Sequence, residues 1–442
     1  MNLRSLSLRT VCTVLTLAGC TSSPSSNWPQ WRRPEGNSLS VATNLPLAWD
    51  ADKNLVWKRE APGWGRSTPA IWGDVLFLTA HYEDALLVLR IDKHTGEIVW
   101  KDEVGRGDAK RRGDTGEKSA EERRRQVFHA EQNLASPSAV TDGERVIVHF
   151  GNGDLASYTF DGKREWQRNL QDDHGTYTIW WGHANSPVLF EDLVISVCMQ
   201  DSLADLGGDE LSPSYVVAHD KRTGEPRWKT LRMTGAKSEP CDSYTTPLLH
   251  RGSDGWKRIV WGGTQLDAYD PGTGEQLWYL KDLGGNRTIT GPTLANGMVY
   301  ATVGMKGAVL AVELGGRGEL PADAVAWKHG EGTPDTPCPV VWEDLFFMVS
   351  NSGIATCLDA NTGTMHWKER LCGNYRSSPL AAAGRVYFLS TEGNSTVVEA
   401  SPEFHVVSKN AVEDEFLASP GISEAQVFLR GKSALYCLED RK

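Results

Sequence analysis

The sequence predicts an all-β protein, an eight-bladed β-propeller of four-stranded antiparallel blades. Two repeated phrases carry this prediction. The first is an aspartate, two variable residues, Thr-Gly, and a tryptophan four residues after the glycine; it stands at 92–100, 220–228, 270–278 and 359–367. The second is a small residue before a proline and an apolar stretch, and it recurs eight times out of phase with the first. Self-similarity at roughly 40 to 50 residues is typical of propellers and solenoids.

The proline phrase predicts the innermost strand of each blade. Proline lacks an N–H group, so within a sheet it is confined to an edge or to a first strand position. The strand beside a propeller axis is such an edge, and a strongly apolar second strand follows it, as at 75–80 and 145–150. The eight copies are Thr68-Pro69, Ser136-Pro137, Ser186-Pro187, Thr246-Pro247, Gly291-Pro292, Cys338-Pro339, Ser378-Pro379 and Ser419-Pro420.

The Thr-Gly phrase predicts the hairpin between the third and fourth strands, because glycine supplies the positive φ that a tight turn needs. The fourth strand carries the tryptophan. Its apolar body is expected between neighbouring sheets, with the indole N–H on one fixed partner. These tryptophans are therefore expected to dock blades together rather than to bind a ligand. They are Trp57, Trp100, Trp166, Trp228, Trp278, Trp327 and Trp367.

The chain is expected to close the ring with its own N-terminus. The last unit, 419–438, has only three strands, and the segment 55–58 before the first proline phrase supplies the fourth. Pairing of this N-terminal strand into the last blade removes the open sheet edges. Seven blades remain an alternative, since Val407 and Ser408 stand in unit seven where a tryptophan is expected.

The phrases at 218–228 and 268–278 resemble the tryptophan-docking repeat of the quinoprotein (PQQ) β-propeller superfamily. The opening at 28–38 and the phrases at 46–50 and 54–58 resemble bacterial PQQ-like propeller lipoproteins, a type abundant in planctomycetes. The resemblance covers about residues 28–440. It implies the fold and says little about activity, since one fold hosts unrelated functions.

The N-terminus predicts export and lipidation. Arg4 and Arg9 precede the apolar run 11–18, and Cys20 follows Leu17-Ala18-Gly19. This pattern is typical of a lipoprotein signal peptide, and the apolar run is too short for a transmembrane helix. Residues 1–19 are the predicted signal peptide, 20–27 the lipidated Cys20 with a polar tether, and 28–442 a single propeller domain. The predicted location is the bacterial envelope. Thr21, not aspartate, follows the cysteine, and by resemblance to Gram-negative lipoprotein sorting this favours the periplasmic face of the outer membrane.

The charge balance argues against nucleic acid as a partner. The chain has 46 lysines and arginines against 57 aspartates and glutamates, a formal net charge of −11. Binding of nucleic acid depends on neutralising phosphates with lysine and arginine. The cysteines after Cys20 show no metal-ligand spacing and are expected to be small buried residues, with a disulfide among Cys241, Cys338 and Cys372 left open. No metal site is predicted.

Long connections concentrate on one face of the disc, over blades one to four. Loops on a rigid scaffold often carry function. The richest stretch is 172–187, whose aromatic, amide and imidazole side chains suit a sugar, a peptide or a flat cofactor; alternatively, they only pack the loops on one another. The candidate ligand or partner residues are His129, Asn133, His174, Tyr177, Trp180, Trp181, His183, Asn185 and Tyr244.

The preferred prediction is a lipid-anchored, monomeric, non-catalytic propeller that binds a protein partner in the cell envelope. It is similar in plan to the propeller lipoprotein of the outer-membrane β-barrel assembly machinery. Neither a catalytic residue nor a cofactor is expected. One alternative is a PQQ- and calcium-dependent oxidoreductase of the quinoprotein dehydrogenase class, although the chain lacks the adjacent cysteine pair that many of these enzymes have. The other is a carbohydrate-binding envelope protein, which Tyr177, Trp180 and Trp181 motivate.

Overall fold

The structure is a computed structural model that describes residues 26–107, 120–124, 126, 128, 131–200, 212–252 and 255–441. It is built from eight sheets, each with four antiparallel strands. The innermost strands of neighbouring sheets contact one another around a common axis. The predicted eight-bladed β-propeller is therefore confirmed.

The first four blades follow the chain without interruption, each from an inner to an outer strand. Blade 1 has Ala70–Trp72, Val75–Tyr82, Ala85–Asp92 and Ile98–Arg106. Blade 2 has Val140–Thr141, Arg145–His149, Asp154–Thr159 and Arg164–Asn169. Blade 3 has Val188–Phe190, Leu193–Cys198, Tyr215–Asp220 and Pro226–Leu231. Blade 4 has Leu248–Gly252, Gly255–Gly262, Gln265–Tyr269 and Gln276–Leu280.

The last four blades end with the predicted closure. Blade 5 has Thr293–Ala295, Met298–Thr302, Val309–Glu313 and Val325–His329. Blade 6 has Val340–Trp342, Leu345–Val349, Ile354–Asp359 and Met365–Arg370. Blade 7 has Leu380–Ala382, Arg385–Leu389, Asn394–Glu399 and Val406–Ala411. Blade 8 has Gly421–Ser423, Gln426–Arg430 and Ala434–Leu438, and its outer strand is the N-terminal Leu55–Glu60, paired antiparallel with Ala434–Leu438.

Blade 7 is a complete sheet, so the seven-blade alternative is wrong. Two short strands extend the sheets beyond the prediction: Leu39–Ser40 lies parallel to the inner strand of blade 7, and Gly318–Glu319 lies parallel to the outer strand of blade 4. The helices are short, α1 at Ala120–Arg124 and α2 at Leu170–His174, with 3-10 turns at Glu239–Cys241 and Ala322–Ala324. No helix among the described residues is long and apolar enough to cross a membrane.

The tryptophans of the repeat lie between neighbouring blades. In five cases the indole N–H donates to a backbone oxygen of the next blade, at 2.9–3.1 Å. The pairs are Trp57 with Lys93, Trp100 with Phe160, Trp166 with Lys221, Trp327 with Ala360, and Trp367 with Ser401. The indole N–H groups of Trp228 and Trp278 are buried without a partner among the described residues.

The glycine of the Thr-Gly hairpin has a second role besides its positive φ. A Cβ on Gly96 would lie 2.6 Å from Cε3 of Trp57 on the preceding blade. Gly224, Gly274 and Gly363 of the other Thr-Gly hairpins meet the preceding tryptophan in the same way, as does Gly162 of the Asp-Gly hairpin in blade 2. Each of these glycine hairpins is thus the surface on which the neighbouring tryptophan docks.

We expect Gly96→Ala to lower the free energy of unfolding by about 2–4 kcal/mol. About 1–2 kcal/mol comes from placing a side chain at φ +72°, and the rest from overpacking against Trp57. Gly73→Ala is the matched control, because φ is +56° and its Cβ would meet nothing within 4 Å. Urea unfolding of both variants separates the two effects, and equal losses would contradict docking on the glycine.

Trp49 supplies an indole where blade 7 lacks its own. In blade 7, Ser408 pairs with Val397 next to the bulge between the third and fourth strands. In blade 6 the equivalent position is occupied by Trp367, which pairs with Cys357. Trp49 is buried, its ring stacks on Tyr387 at 6.4 Å, and its backbone N–H donates to Asn410 Oδ1. A segment distant in sequence therefore fills the gap between blades 7 and 8.

A belt of hydrogen bonds surrounds the axis where the inner strands begin. In six blades a backbone N–H donates to the side chain at the equivalent position of the next blade, at 2.9–3.1 Å. The acceptors are Ser138, Ser186, Thr246, Cys338, Ser378 and Ser419. The assignment of Ser136-Pro137 to the repeat is wrong by two residues, because Ser138 holds the blade 2 position and Ala139 replaces the proline. In these six blades the small residue thus supplies a hydroxyl or thiol that links neighbouring blades, whereas Gly291 of blade 5 contributes only its backbone N–H.

The segment 26–40 occupies the central channel. Trp28 exchanges two backbone hydrogen bonds with Ile71 of blade 1, and Leu39–Ser40 pairs with blade 7. Between them lies Arg32, which is 1 % exposed. Its guanidinium donates to Ser38 Oγ and, across the axis, to blades 5 and 6 through Pro292 O, Thr293 Oγ1 and Pro339 O. We call this segment the plug.

The cysteines of the described chain are all free. Five of the six are buried, and Cys372 is exposed. Cys338 belongs to the belt, and Cys241 donates its thiol hydrogen to Gln200 O at 2.8 Å. The disulfide left open by the sequence does not form in this structure.

Candidate functional site: an axial funnel

A cavity of about 540 Å³ opens at the axis on the face where the inner strands begin, which we call the upper face. Trp31 of the plug lines it from below, and Arg32 lies 5.4 Å from the Trp31 ring. The Thr-Gly hairpins lie on the opposite, lower face. The cavity, called the funnel here, is therefore open above and blocked below.

One position in each repeat builds the funnel wall. It stands two residues before the belt residue, and all eight copies line the cavity. These residues are Arg66, Ser136, Ala184, Tyr244, Ile289, Thr336, Arg376 and Leu417. Neighbouring loops add further side chains, including Trp181 and Met305. The repeated scaffold thus presents eight variable side chains around the axis.

The funnel carries three arginines and three carboxylates, and most of these are paired with each other. Arg376 binds Glu131 in a bidentate ion pair, with N–O distances of 2.8 and 3.1 Å. Arg287 lies 3.3 Å from Asp335 and 3.7 Å from Glu239. Burial raises the pKa of Asp335, against the opposing effect of Arg287. The third arginine, Arg66, lies against the ring of Trp64.

A groove of about 430 Å³ continues from the funnel over blades 7 and 8. It shares Glu131, Arg376 and Leu417 with the funnel. Its lining also contains Glu392, Asp414 and Glu415, so four carboxylates stand against one arginine. The combined recess runs from the axis toward the rim and becomes acidic along its length.

Two of the sequence-predicted residues line the funnel, Trp181 and Tyr244. The Tyr244 hydroxyl accepts from the Trp181 backbone N–H at 3.2 Å, and burial holds its pKa well above the ordinary value. His174 lies away from the axis, at the end of α2. His129 falls outside the described residues.

The other five predicted residues are buried, each at most 3 % exposed: Asn133, Tyr177, Trp180, His183 and Asn185. Their polar atoms serve the connections between blades. Asn133 donates to Trp64 O at 2.9 Å, and Asn185 donates to Thr245 O at 2.7 Å. His183 bonds Val197 O at 3.0 Å and stacks on Tyr177 at 4.7 Å. These five side chains are therefore packed among the loops rather than open to the funnel, and Asn133, His183 and Asn185 supply hydrogen bonds that the buried loop backbone needs.

An ion pair beneath the upper face joins three connections. Arg123 of α1 and Asp242, after blade 3, are both fully buried. Arg123 Nη1 donates to both Asp242 oxygens, at 2.8 and 2.9 Å, and to Thr178 O at 2.6 Å. The guanidinium also lies over the ring of Trp180 at 5.2 Å. This pair fixes the walls that surround the funnel.

The funnel does not fit the calcium-bound quinone that its fold family implies. Ca²⁺ requires six to eight oxygen ligands, usually including free carboxylates. Here Glu131, Glu239 and Asp335 each face an arginine. The amide oxygen of Asn351 accepts the backbone N–H groups of Asp335 and Thr336. Most of these oxygens are therefore engaged within the protein, although Asp335 Oδ1 is buried without a hydrogen-bond partner among the described residues.

Solved structures similar to this fold include BamB and several dehydrogenases. BamB from Moraxella catarrhalis is 12% identical with a TM-score of 0.58, over 87% of this chain and 99% of that one. A quinohemoprotein alcohol dehydrogenase from Comamonas testosteroni is 11% identical with a TM-score of 0.65, over 95% and 81%. A europium-containing methanol dehydrogenase is 11% identical with a TM-score of 0.60, over 93% and 89%. At such identities the likeness concerns the fold alone.

Among curated proteins, none matches the sequence. A family model for PQQ-type repeats, described as "Outer membrane protein assembly factor BamB", matches residues 34–204, 212–317 and 317–403. These segments contain most of the eight blades and the end of the plug. The chain thus belongs to the family of PQQ-like β-propellers that this BamB description covers.

Proposed function

We propose that this protein is a non-catalytic scaffold of the cell envelope that binds a protein partner through the funnel and the adjoining groove. The observation that carries the proposal is the pairing of the funnel's charges. Arginines and carboxylates that neutralise one another form a shaped polar surface suited to the polar groups of a protein partner. A stiff ring also presents such a surface with little loss of conformational entropy on binding.

The partner's contact segment is expected to be an extended or loop-shaped stretch of polypeptide with basic residues. The groove joined to the funnel gives a recess longer than a small ligand requires. Glu131 and Glu415 of the groove already pair with Arg376 and Lys432, so Glu392 and Asp414 are the carboxylates that favour lysine or arginine in a partner. Complementary charge raises association rates and sets orientation. Trp181, Ile289 and Leu417 offer apolar contact at the axis.

Location in the envelope is part of the proposal. The family description supports an envelope role, and Cys20 is the proposed lipid attachment site. Ser26, the first described residue, lines the same small recess as Glu424 of the lower-face hairpin of blade 8. A lipid at Cys20 would therefore hold the lower face toward the membrane and leave the funnel directed away from it.

Neither alternative function is supported by a comparable observation. The oxidoreductase would need a quinone and calcium, which the paired funnel residues do not suit. Carbohydrate binding would need open aromatic faces, yet Trp180 is buried under Arg123 and Tyr177 is 1 % exposed.

We expect Glu131→Arg to reduce the partner recovered with the full-length tagged protein by about tenfold or more, which corresponds to about 1.4 kcal/mol. The substitution places a second arginine beside Arg376 where the funnel meets the groove, and it repels a basic partner segment. Asp192→Arg is the control, since Asp192 pairs with Arg222 at 2.9 Å on the lower face. Quantitative co-purification from cells checks this. Equal loss in both variants, or loss in neither, would contradict binding at the funnel.

A further inference from the structure

A cluster of three metal-binding side chains lies outside the funnel, between blades 2 and 3. Asp173 and His174 end helix α2, and His219 stands on the third strand of blade 3. One ligand atom from each lies within 4.8 Å of the others. We propose that Asp173, His174 and His219 form a Zn²⁺ site at this rim.

The histidines are available as ligands. His219 is 0 % exposed, and neither of its ring nitrogens has a hydrogen-bond partner among the described residues; the same holds for Nε2 of His174. Buried polar atoms nearly always find a partner, so three such nitrogens at one place need a physical reason. Two imidazoles and one carboxylate are a typical protein ligand set for zinc, with water as the fourth ligand.

The site needs a modest closure around the metal. Ligand atoms of a tetrahedral zinc site lie roughly 3.4 Å apart, given metal–ligand distances near 2.0–2.1 Å. The rings of His174 and His219 now lie 5.8 Å apart, centre to centre. His219 is fixed within its sheet, whereas the Asp173 side chain is 25% exposed on a five-residue helix. Closure therefore requires movement of α2 side chains toward His219.

Two cations face the cluster. Arg168 binds Asp173 with N–O distances of 2.7 and 3.1 Å, and each carboxylate oxygen keeps a second lone pair for a metal. Such a partner orients a ligand, as outer-shell residues do in metal sites. Lys229 lies over the Tyr215 ring at 4.7 Å, and that ring packs on His174. Because Arg168 and Lys229 both repel a divalent cation, we expect the dissociation constant for Zn²⁺ to be micromolar rather than lower.

The test is a titration of the purified full-length protein with ZnCl₂ after treatment with EDTA. Calorimetry should give one equivalent with a micromolar dissociation constant. Co²⁺ in place of zinc should give the visible absorption of a four-coordinate site. His174→Gln and His219→Gln should abolish both signals, and Asp173→Asn should weaken binding about tenfold or more.

Asp172→Asn is the matched control, since Asp172 neighbours Asp173 on the same helix but is absent from the cluster. Binding in that variant should equal the parent's. If His219→Gln does not fold, Asp173→Asn and His174→Gln decide the matter alone. Absence of saturable zinc binding, or binding that all variants share, would overturn the proposal.

Discussion

Asp242→Ala is expected to lower the free energy of unfolding by about 3–5 kcal/mol, the loss typical of breaking a buried ion pair on one side. The substitution leaves the Arg123 guanidinium buried without its carboxylate. It also removes the acceptor that Asp242 Oδ2 provides for the Trp180 backbone N–H at 3.2 Å. Urea denaturation of parent and variant at neutral pH measures the difference.

An exposed pair provides the control. Arg106 and Asp84 lie 3.1 Å apart with both side chains more than half exposed, so Asp84→Ala should cost at most about 1 kcal/mol. The double replacement Arg123→Met with Asp242→Leu should recover part of the lost stability, because no charge is then left buried. A small loss for Asp242→Ala would show that the pair does not fix the upper-face connections.

Stability is expected to fall steeply as the pH drops from about 6.5 to about 4. Burial lowers the pKa of His183 and of His219 to about 4 in the folded protein, while an unfolded histidine titrates near about 6.5. Between these values the unfolded chain binds protons that the folded protein excludes, so protonation favours unfolding. Each histidine should contribute roughly 3 kcal/mol of stability at pH 7 that is lost by about pH 4.

Urea unfolding between pH 4.5 and 7 measures this slope. His183→Gln keeps an amide that can donate to Val197 O but cannot take up a proton. Its slope should be smaller than the parent's by about one proton. His366→Gln replaces an exposed histidine and should leave the slope unchanged. Identical slopes for the parent and His183→Gln would contradict a buried neutral imidazole at this position.

The repeat made the architecture predictable because the same physical need recurs in each blade. A tryptophan such as Trp57 requires a glycine such as Gly96 beneath it, and both leave a fixed spacing in the sequence. The same logic predicted the closing strand 55–58. The repeated phrase misassigns one position, that of blade 2. Ser136-Pro137 fits the phrase, but Ser138 carries the hydroxyl that belongs to the belt.

The long-range features could not be predicted in this way. Trp49 fills a gap in blade 7, and Arg32 crosses the axis to blades 5 and 6, although nothing in the local sequence indicates either contact. The composition of 172–187 was typical of a ligand site, but Asn185 and His183 satisfy buried backbone instead. The funnel wall has a signal in the sequence, because Arg66, Arg376 and their equivalents stand two residues before each belt residue. This signal can be recognised only after the belt residues of the eight repeats have been aligned with one another.

Site-specific photo-cross-linking in intact cells tests the scaffold proposal most directly. A benzophenone amino acid would replace Leu417, which lines both funnel and groove, and in a second strain Met365, which is 48% exposed on the lower face. We expect one discrete protein adduct from position 417, weakened by Glu131→Arg, and none from position 365. Adducts of equal yield from both positions, or none from 417 in a folded protein, would contradict it.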